Sequence, residues 1–441
     1  MPKTVLTIGS QRFADSIKNM FSPLGISIIS DTGENQIKSI CKIGGIHAVI
    51  YDDDHFRCGK KNLRCKILET LSETKVKFIV VSSRKSLTAV REAKQWGASD
   101  FIIRPFNYRE FFSRFRAIIE GKQRIVCMGG GTGLFQILIG LKRLPNILLT
   151  SIVSMSDDGG SSGKLRSSFG ILPPGDIRRS LVALSNAPQI MNELMQFRFQ
   201  RGGHFSGHNL GNLFLTALTE IKGSVPEAVR TISDILNTQG IVFPVTDNLT
   251  TLCARFEDGS VIEGESKIDL AEDRNPDLSI QEIWHEPQTK CTTDAFSSIV
   301  NSDYVIIGPG DLYTSVITNF LVKAIPEALL ETRAKKIYIC NLMTKPGETS
   351  HYNAFRHIKE IVRYMKGDYL NSIILSNTKL SAKAMQEYAQ KHQRPVSLDG
   401  LQKLSKITKA KVIIADVGHE TELVRHDSLK IMNEVAKLIK G

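Results

Sequence analysis

The run Arg124-Ile125-Val126-Cys127-Met128 leads straight into Gly129-Gly130-Gly131-Thr132-Gly133, and a helical pattern follows over 134–144. A strand, a glycine turn and a helix N-terminus together make an anion site. Glycines let a ligand approach the backbone, and the first N–H groups and the helix dipole face a phosphate. Gly130, Gly131, Thr132 and Gly133 are therefore the first candidate ligand contacts. The spacing is not G-x-G-x-x-G, because position 134 is Leu, and no Gly-Lys-Ser/Thr follows to make a Walker loop.

A second strand, 147–153, runs into Ser154-Met155-Ser156-Asp157-Asp158-Gly159-Gly160-Ser161-Ser162-Gly163-Lys164-Leu165-Arg166. An acidic residue after the second strand is where a mononucleotide fold holds a ribose or a metal, so Asp157 and Asp158 are candidates for either, with Mg²⁺ the expected ion. Ser161 and Ser162 supply donors, and Lys164 and Arg166 supply charge for a diphosphate. Asp176, in Pro173-Pro174-Gly175-Asp176, reads equally as a helix cap beside a solvated arginine or as a ligand contact. Asn209 and Asn212, in the run 205–213, suit amide contacts to a base or sugar, or equally a helix cap. His204 and His208 lack a third partner at metal spacing, which argues against zinc. A buried strand then ends in Gly308-Pro309-Gly310, and Asp311, Leu312, Tyr313, Thr314 and Ser315 open a helix, which reads as a second loop–helix anion site. Asn341 closes the strand at 337–340.

These loops need an α/β frame. Residues 1–122 alternate strand candidates (4–8, 26–29, 48–51, 78–82, 101–103) with helical patterns (11–21, 33–42, 60–73, 86–96, 107–120), as an open parallel sheet covered on both faces does. Asp52, Ser82 and Arg104 fall at strand ends, which converge on one crevice in such a sheet. A polar join at 120–123 separates this segment from 123–441. There, 249–256 and 260–263 read as a β-hairpin, and 266–293 shows no clear period.

Composition narrows the class. The chain has 441 residues, 41% hydrophobic and 23% charged, which is ordinary for two or three globular domains. Of its net charge of +12, residues 1–122 carry +9, from 21 basic and 12 acidic side chains. A nucleic-acid-binding role for the remainder is therefore not expected. Seven scattered cysteines without a C-x-x-C pair indicate a reducing compartment. With no signal-peptide core and no long apolar run, a cytoplasmic protein without a membrane partner is expected.

Residues 1–122 resemble a response-regulator receiver domain, a flavodoxin-like fold. That resemblance implies Asp52 as phosphoacceptor, with Asp53 behind it and Ser82 as switch hydroxyl. Gly9 and Ser10 stand where receivers carry the acidic pair that holds Mg²⁺, and Arg104 stands in place of lysine. A degenerate receiver serving as a docking or dimerising surface is thus expected, with a solvated acidic loop at 52–54 as the alternative. The motifs GGGTG, SDDGGSSGKLR, PPGDIRRSL, SGHNLGNL, GESKI, GPGDLYTS and NLMTKPGET resemble the YvcK-like gluconeogenesis factors of the CofD-like superfamily over about 124–440. The resemblance implies a Rossmann-like α/β domain that binds UDP-sugars such as UDP-N-acetylglucosamine and supports cell-wall synthesis and cell shape on gluconeogenic carbon. It further implies Tyr388 and Arg425 as ligand contacts. Asp311 departs from the serine common in the family, and would repel a diphosphate unless a cation intervenes. The alternative is a CofD-like transferase moving a phospholactyl group from a guanosine-diphosphate-linked donor with Mg²⁺. Catalytic residues are not identifiable, the partner of 1–122 is unknown, and a homodimer is suggested only by analogy.

Overall fold

The computed structural model describes residues 3–31, 37, 45–57, 61–270 and 275–440. The chain divides into two compact units, Met1–Gln123 and Arg124–Gly441.

In the first unit the five expected strands are present to within a residue or two: β1 (Thr4–Ile8), β2 (Ser27–Asp31), β3 (Ile46–Asp52), β4 (Phe78–Ser82) and β5 (Asp100–Ile103). They pair in parallel in the order β2-β1-β3-β4-β5, which is the flavodoxin-like order. The helices α1 (Gln11–Phe21), α2 (Lys61–Glu73) and α3 (Leu87–Gln95) lie between strands, and α4 (Tyr108–Ile119) follows β5. The helix expected at 33–42 lies, apart from Ile37, outside the described residues. The ends of α1 follow from sequence: the Ser10 hydroxyl accepts from the Phe13 N–H at 3.2 Å, and Phe13, Ile17 and Phe21 point inward. They join Val5, Ile50, Ile79, Phe111 and Phe115 in one apolar core.

The second unit is built on a seven-stranded sheet. Its strands are β6 (Gln123–Gly129), β7 (Ile147–Val153), β8 (Gly240–Pro244), β12 (Tyr304–Ile307), β13 (Lys335–Ile339), β14 (Ser372–Ser376) and β15 (Lys411–Ala415), in the order β15-β14-β13-β12-β6-β7-β8. The central strands are continuous apolar runs, Ile125–Met128 and Val305–Ile307 among them, because both faces are covered. A separate antiparallel sheet, β10-β9-β11, is made by β9 (Thr251–Phe256), β10 (Val261–Glu263) and β11 (Ile280–Glu286). The hairpin expected there is present, and β11 emerges from the stretch whose pattern gave no assignment. A second hairpin, β16 (Gly418–Glu420) with β17 (Val424–His426), precedes the last helix.

The order of the large sheet decides where a ligand can sit. From β6 the chain moves outward through β7 and β8; from β12 it moves outward the other way through β13, β14 and β15. Loops leaving adjacent strands in opposite directions open a crevice at the β6/β12 carboxyl ends. Those two strands carry the two glycine loops. Cys127, Cys253, Cys291 and Cys340, the cysteines of this unit, are all buried. Among the described residues no helix is long and apolar enough to cross a membrane.

Candidate functional site

A cavity of about 610 Å³ opens at that crevice. One wall is the N-terminus of α5 (Gly131–Leu141), preceded by Gly130 in extended conformation. A helix leaves its first N–H groups without intrahelical acceptors, so the backbone of Gly131, Thr132 and Gly133 offers donors to the cavity. Gly131 has φ of +63°, which favours glycine. Gly133 is required for a different reason: a Cβ there would lie 2.4 Å from the Pro309 carbonyl oxygen, so the two glycine loops touch backbone to backbone.

The facing wall comes from the C-terminal quarter. Tyr388, on α10 (Ala382–Gln390), accepts a 2.7 Å hydrogen bond at Oη from the Val424 N–H. That bond fixes the β16–β17 hairpin against the helix and sets Arg425 beside Tyr388 in the same cavity. His426 Nε2 faces the Cys340 carbonyl at 3.1 Å, and Asn341 Nδ2 donates to the Gly310 carbonyl at 2.7 Å.

Between these walls lies a band of carboxylates. Asp157 and Asp176, the latter in the first turn of α7 (Pro174–Leu184), both line the cavity. Burial, then the Asp176 charge, pushes the Asp157 carboxyl up to about 6. Glu265 and Asp269, on α9 (Glu265–Leu270), line it as well, and burial plus neighbouring carboxylates holds Glu265 at about 9. Lys345 bonds both Asp269 and Asp311, the latter at 2.7 Å, and is the cation that the unusual Asp311 called for. Arg179 pairs with Asp176 at 3.2 Å. Glu265, Asp269, Arg179, Lys345 and Lys391 were not anticipated as site residues. GESKI and NLMTKPGET were visible as motifs, but nothing local in them indicates that Asp269 and Lys345 meet.

Several anticipated contacts do not come together. The second loop–helix anion site is already filled by the protein: Glu348 Oε1 accepts from the N–H groups of Tyr313 and Thr314 at 2.7 and 3.0 Å. Those donors open a π-helical segment, Leu312–Ile317, so an outside anion would have to displace an internal carboxylate. Tyr313 is fully buried with its hydroxyl 2.7 Å from Tyr352, and only Thr314 of the pair lines the cavity. Gly308 forms the turn behind Gly310, with φ of +69°, and Gly310 is the lining residue. Ser161 and Ser162, in α6 (Gly160–Phe169), are buried against Asn209 and Asn212. The Ser161 Oγ accepts from the Asn209 N–H and from Asn212 Nδ2 at 3.1 and 3.3 Å, while Asn209 caps α8 (Leu210–Lys222). These four residues brace the helices behind the cavity instead of lining it. Lys164 and Arg166 border a separate surface depression with Asp158 and Leu249, and Arg166 donates to the Thr250 carbonyl.

Asp157 and Asp158 diverge. The Asp158 carboxylate accepts from the Glu265 and Ser266 N–H groups at 3.1 and 2.8 Å, so it holds α9 in place and is turned from Asp157. The pair does not fit a shared Mg²⁺, and among the described residues no group of three or more metal-ligating side chains is present. Asp176 does not cap its helix, whose N-cap is Pro173, and Arg178 is buried with a bond to the Met195 carbonyl.

In the first unit Asp52 accepts from Arg104 at 2.9 Å, and Arg104 also bonds Asp54. Arg64 and Arg84 grip the buried Asp53, and Ser82 donates to Asp53 at 3.1 Å. Three guanidinium groups therefore neutralise three aspartates, and residues 52–54 do not form a freely solvated loop. A Cβ at Gly9 would lie 2.6 Å from the Asp52 Cβ, which leaves no room for a side chain at position 9.

The family profile of 2-phospho-L-lactate transferase CofD matches residues 125–417. The gluconeogenesis factor of Bacillus subtilis is 38% identical over 320 residues, covering 72% of this chain and 99% of that protein. That of Halalkalibacterium halodurans is 37% identical over 315 residues, covering 71% and 96%. A Bacillus halodurans protein of known crystal structure superposes with a TM-score of 0.68 at 36% identity, covering 71% of this chain and 99% of that one.

Proposed function

Because the chain belongs to the gluconeogenesis factor family of CofD-like proteins, we propose that its second unit is a nucleotide-sugar-binding regulator. Its ligand is of the UDP-N-acetylglucosamine type, and occupancy of the cleft signals the supply of wall precursor during growth on gluconeogenic carbon. The observation that carries this reading is the convergence of the Gly130–133 backbone donors with Tyr388 and Arg425 on one cavity. Backbone donors and a guanidinium suit a diphosphate, and a tyrosine ring beside them suits a base or sugar face. The unit works in the cytoplasm, where such precursors are made, and Met1–Gln123 docks a protein partner or a second copy without phosphorylation.

The CofD match supports a second reading, a transferase drawing on a guanosine-diphosphate-linked donor. Such chemistry needs cations placed on the developing charge. The divergence of Asp157 and Asp158 weighs against that route. Calorimetric titration of the whole chain with UDP-N-acetylglucosamine and with GDP, each with and without Mg²⁺, separates the two. Micromolar, uridine-selective binding that falls about tenfold or more in Arg425→Ala supports the regulator, since a hydrogen bond to a charged group is worth about 1.5–3 kcal/mol. Guanosine-selective, Mg²⁺-dependent binding overturns it.

A further inference from the structure

We propose that the cleft sorts nucleotide-sugars by the charge of the sugar, accepting a neutral, hydroxyl-rich ring and rejecting one that bears a carboxylate. This rests on the nucleotide-sugar reading above and adds the class of sugar.

The cations that line the cavity divide into free and engaged ones. Lys391 and Arg425, on the wall built by α10 and β17, make no ion pair among the described residues and remain available to an anionic ligand. The carboxylates Asp157, Asp176, Glu265, Asp269 and Asp311 line the rest. The two cations among them are already engaged: Arg179 on Asp176, and Lys345 on both Asp269 and Asp311. One lysine shared by two carboxylates has no charge to spare for a third.

A ligand matched to such a cleft carries one anionic group for the two free cations and otherwise presents hydrogen-bond donors. Its diphosphate belongs with the α5 N-terminus, Lys391 and Arg425, and sugar hydroxyls then donate to the carboxylate band. Asn341 adds an independent indication. Its Nδ2 is used by the Gly310 carbonyl, whereas its Oδ1 is buried with no donor among the described residues. A buried acceptor without a donor is costly, and a sugar O–H or N–H would satisfy it. Glu265, protonated at neutral pH through burial beside Asp269, can in turn donate to a sugar oxygen. A carboxylate on the sugar would meet Asp157, Asp269 or Asp311 in a partly desolvated cleft with no free cation nearby.

Calorimetry on the full chain with four probes tests this: UDP-glucose and UDP-N-acetylglucosamine against UDP-glucuronate and UDP-N-acetylmuramate. The two acids are expected to bind about thirtyfold more weakly or worse, as like-charge repulsion at such range predicts. Asp311→Asn, and separately Asp269→Asn, should narrow that gap by leaving Lys345 an unshared charge. Two variants are used so that misfolding of one leaves the comparison intact. Equal affinity for UDP-glucose and UDP-glucuronate overturns the sorting by charge while leaving the nucleotide-sugar reading standing. No binding of any of the four overturns that reading, and this proposal with it.

Discussion

At the scale of single residues, the site depends on side chains that are absent as much as on those present. Gly133→Ala would drive a methyl into the Pro309 carbonyl, whose backbone cannot yield without moving the second glycine loop. We expect a loss of about 1–3 kcal/mol of stability, read by urea denaturation, together with weakened nucleotide binding. Titration gives a second residue-scale expectation. The folded pKa values of Glu265 and Asp157, about 9 and about 6, stand above those of free carboxyls. The protonated forms are thus favoured on folding, and the associated stability is present in full below the unfolded pKa values. It declines as pH rises through about 6 for Asp157 and onward to about 9 for Glu265. Denaturation midpoints should therefore fall between pH 6 and pH 9, and Glu265→Gln should flatten that fall. An unchanged slope in the variant would show that Glu265 is ionised in the folded state at neutral pH.

At the scale of elements, helix ends determine which loops remain open to ligand. The N-terminus of α5 faces the cavity, while that of the Leu312–Ile317 segment is closed by Glu348. In the sequence the two glycine loops look alike, because each pairs a strand with a following helix. Nothing at 308–315 reveals that a carboxylate 34 residues beyond Thr314 returns to fill the second one. The same limit hid the Lys345 bridge, since Asp269 lies 76 residues away in the chain and Asp311 lies 34. Local signals, by contrast, are legible: the apolar runs of β6 and β12 and the strands of the first unit follow from neighbours in sequence. Glu348→Ala is expected to cost about 2–4 kcal/mol by leaving buried N–H groups without an acceptor, with Glu348→Gln milder. Thermal denaturation of both variants checks the order.

At the scale of the whole molecule, the two units use charge in opposite ways. The first neutralises its aspartates internally, with Arg64 and Arg84 on Asp53 and Arg104 on Asp52. Incubating the full chain with acetyl phosphate and Mg²⁺ should accordingly add no 80-dalton increment by mass spectrometry, an increment that corresponds to about two added negative charges. A stoichiometric, Asp52-dependent increment would reinstate phosphorylation control. Among the described residues, the glycine loop, Lys391 and Arg425 of the second unit are left without an ion-pair partner in the crevice between β6 and β12, which only the strand order could locate. The burial of Cys127, Cys253, Cys291 and Cys340 carries a practical corollary. Because Cys127 lies two residues before the first glycine loop and Cys340 directly before Asn341, a maleimide can reach them only when these strand ends open locally. Their alkylation rate is therefore a built-in clock for opening of the cleft, and a bound nucleotide should slow it.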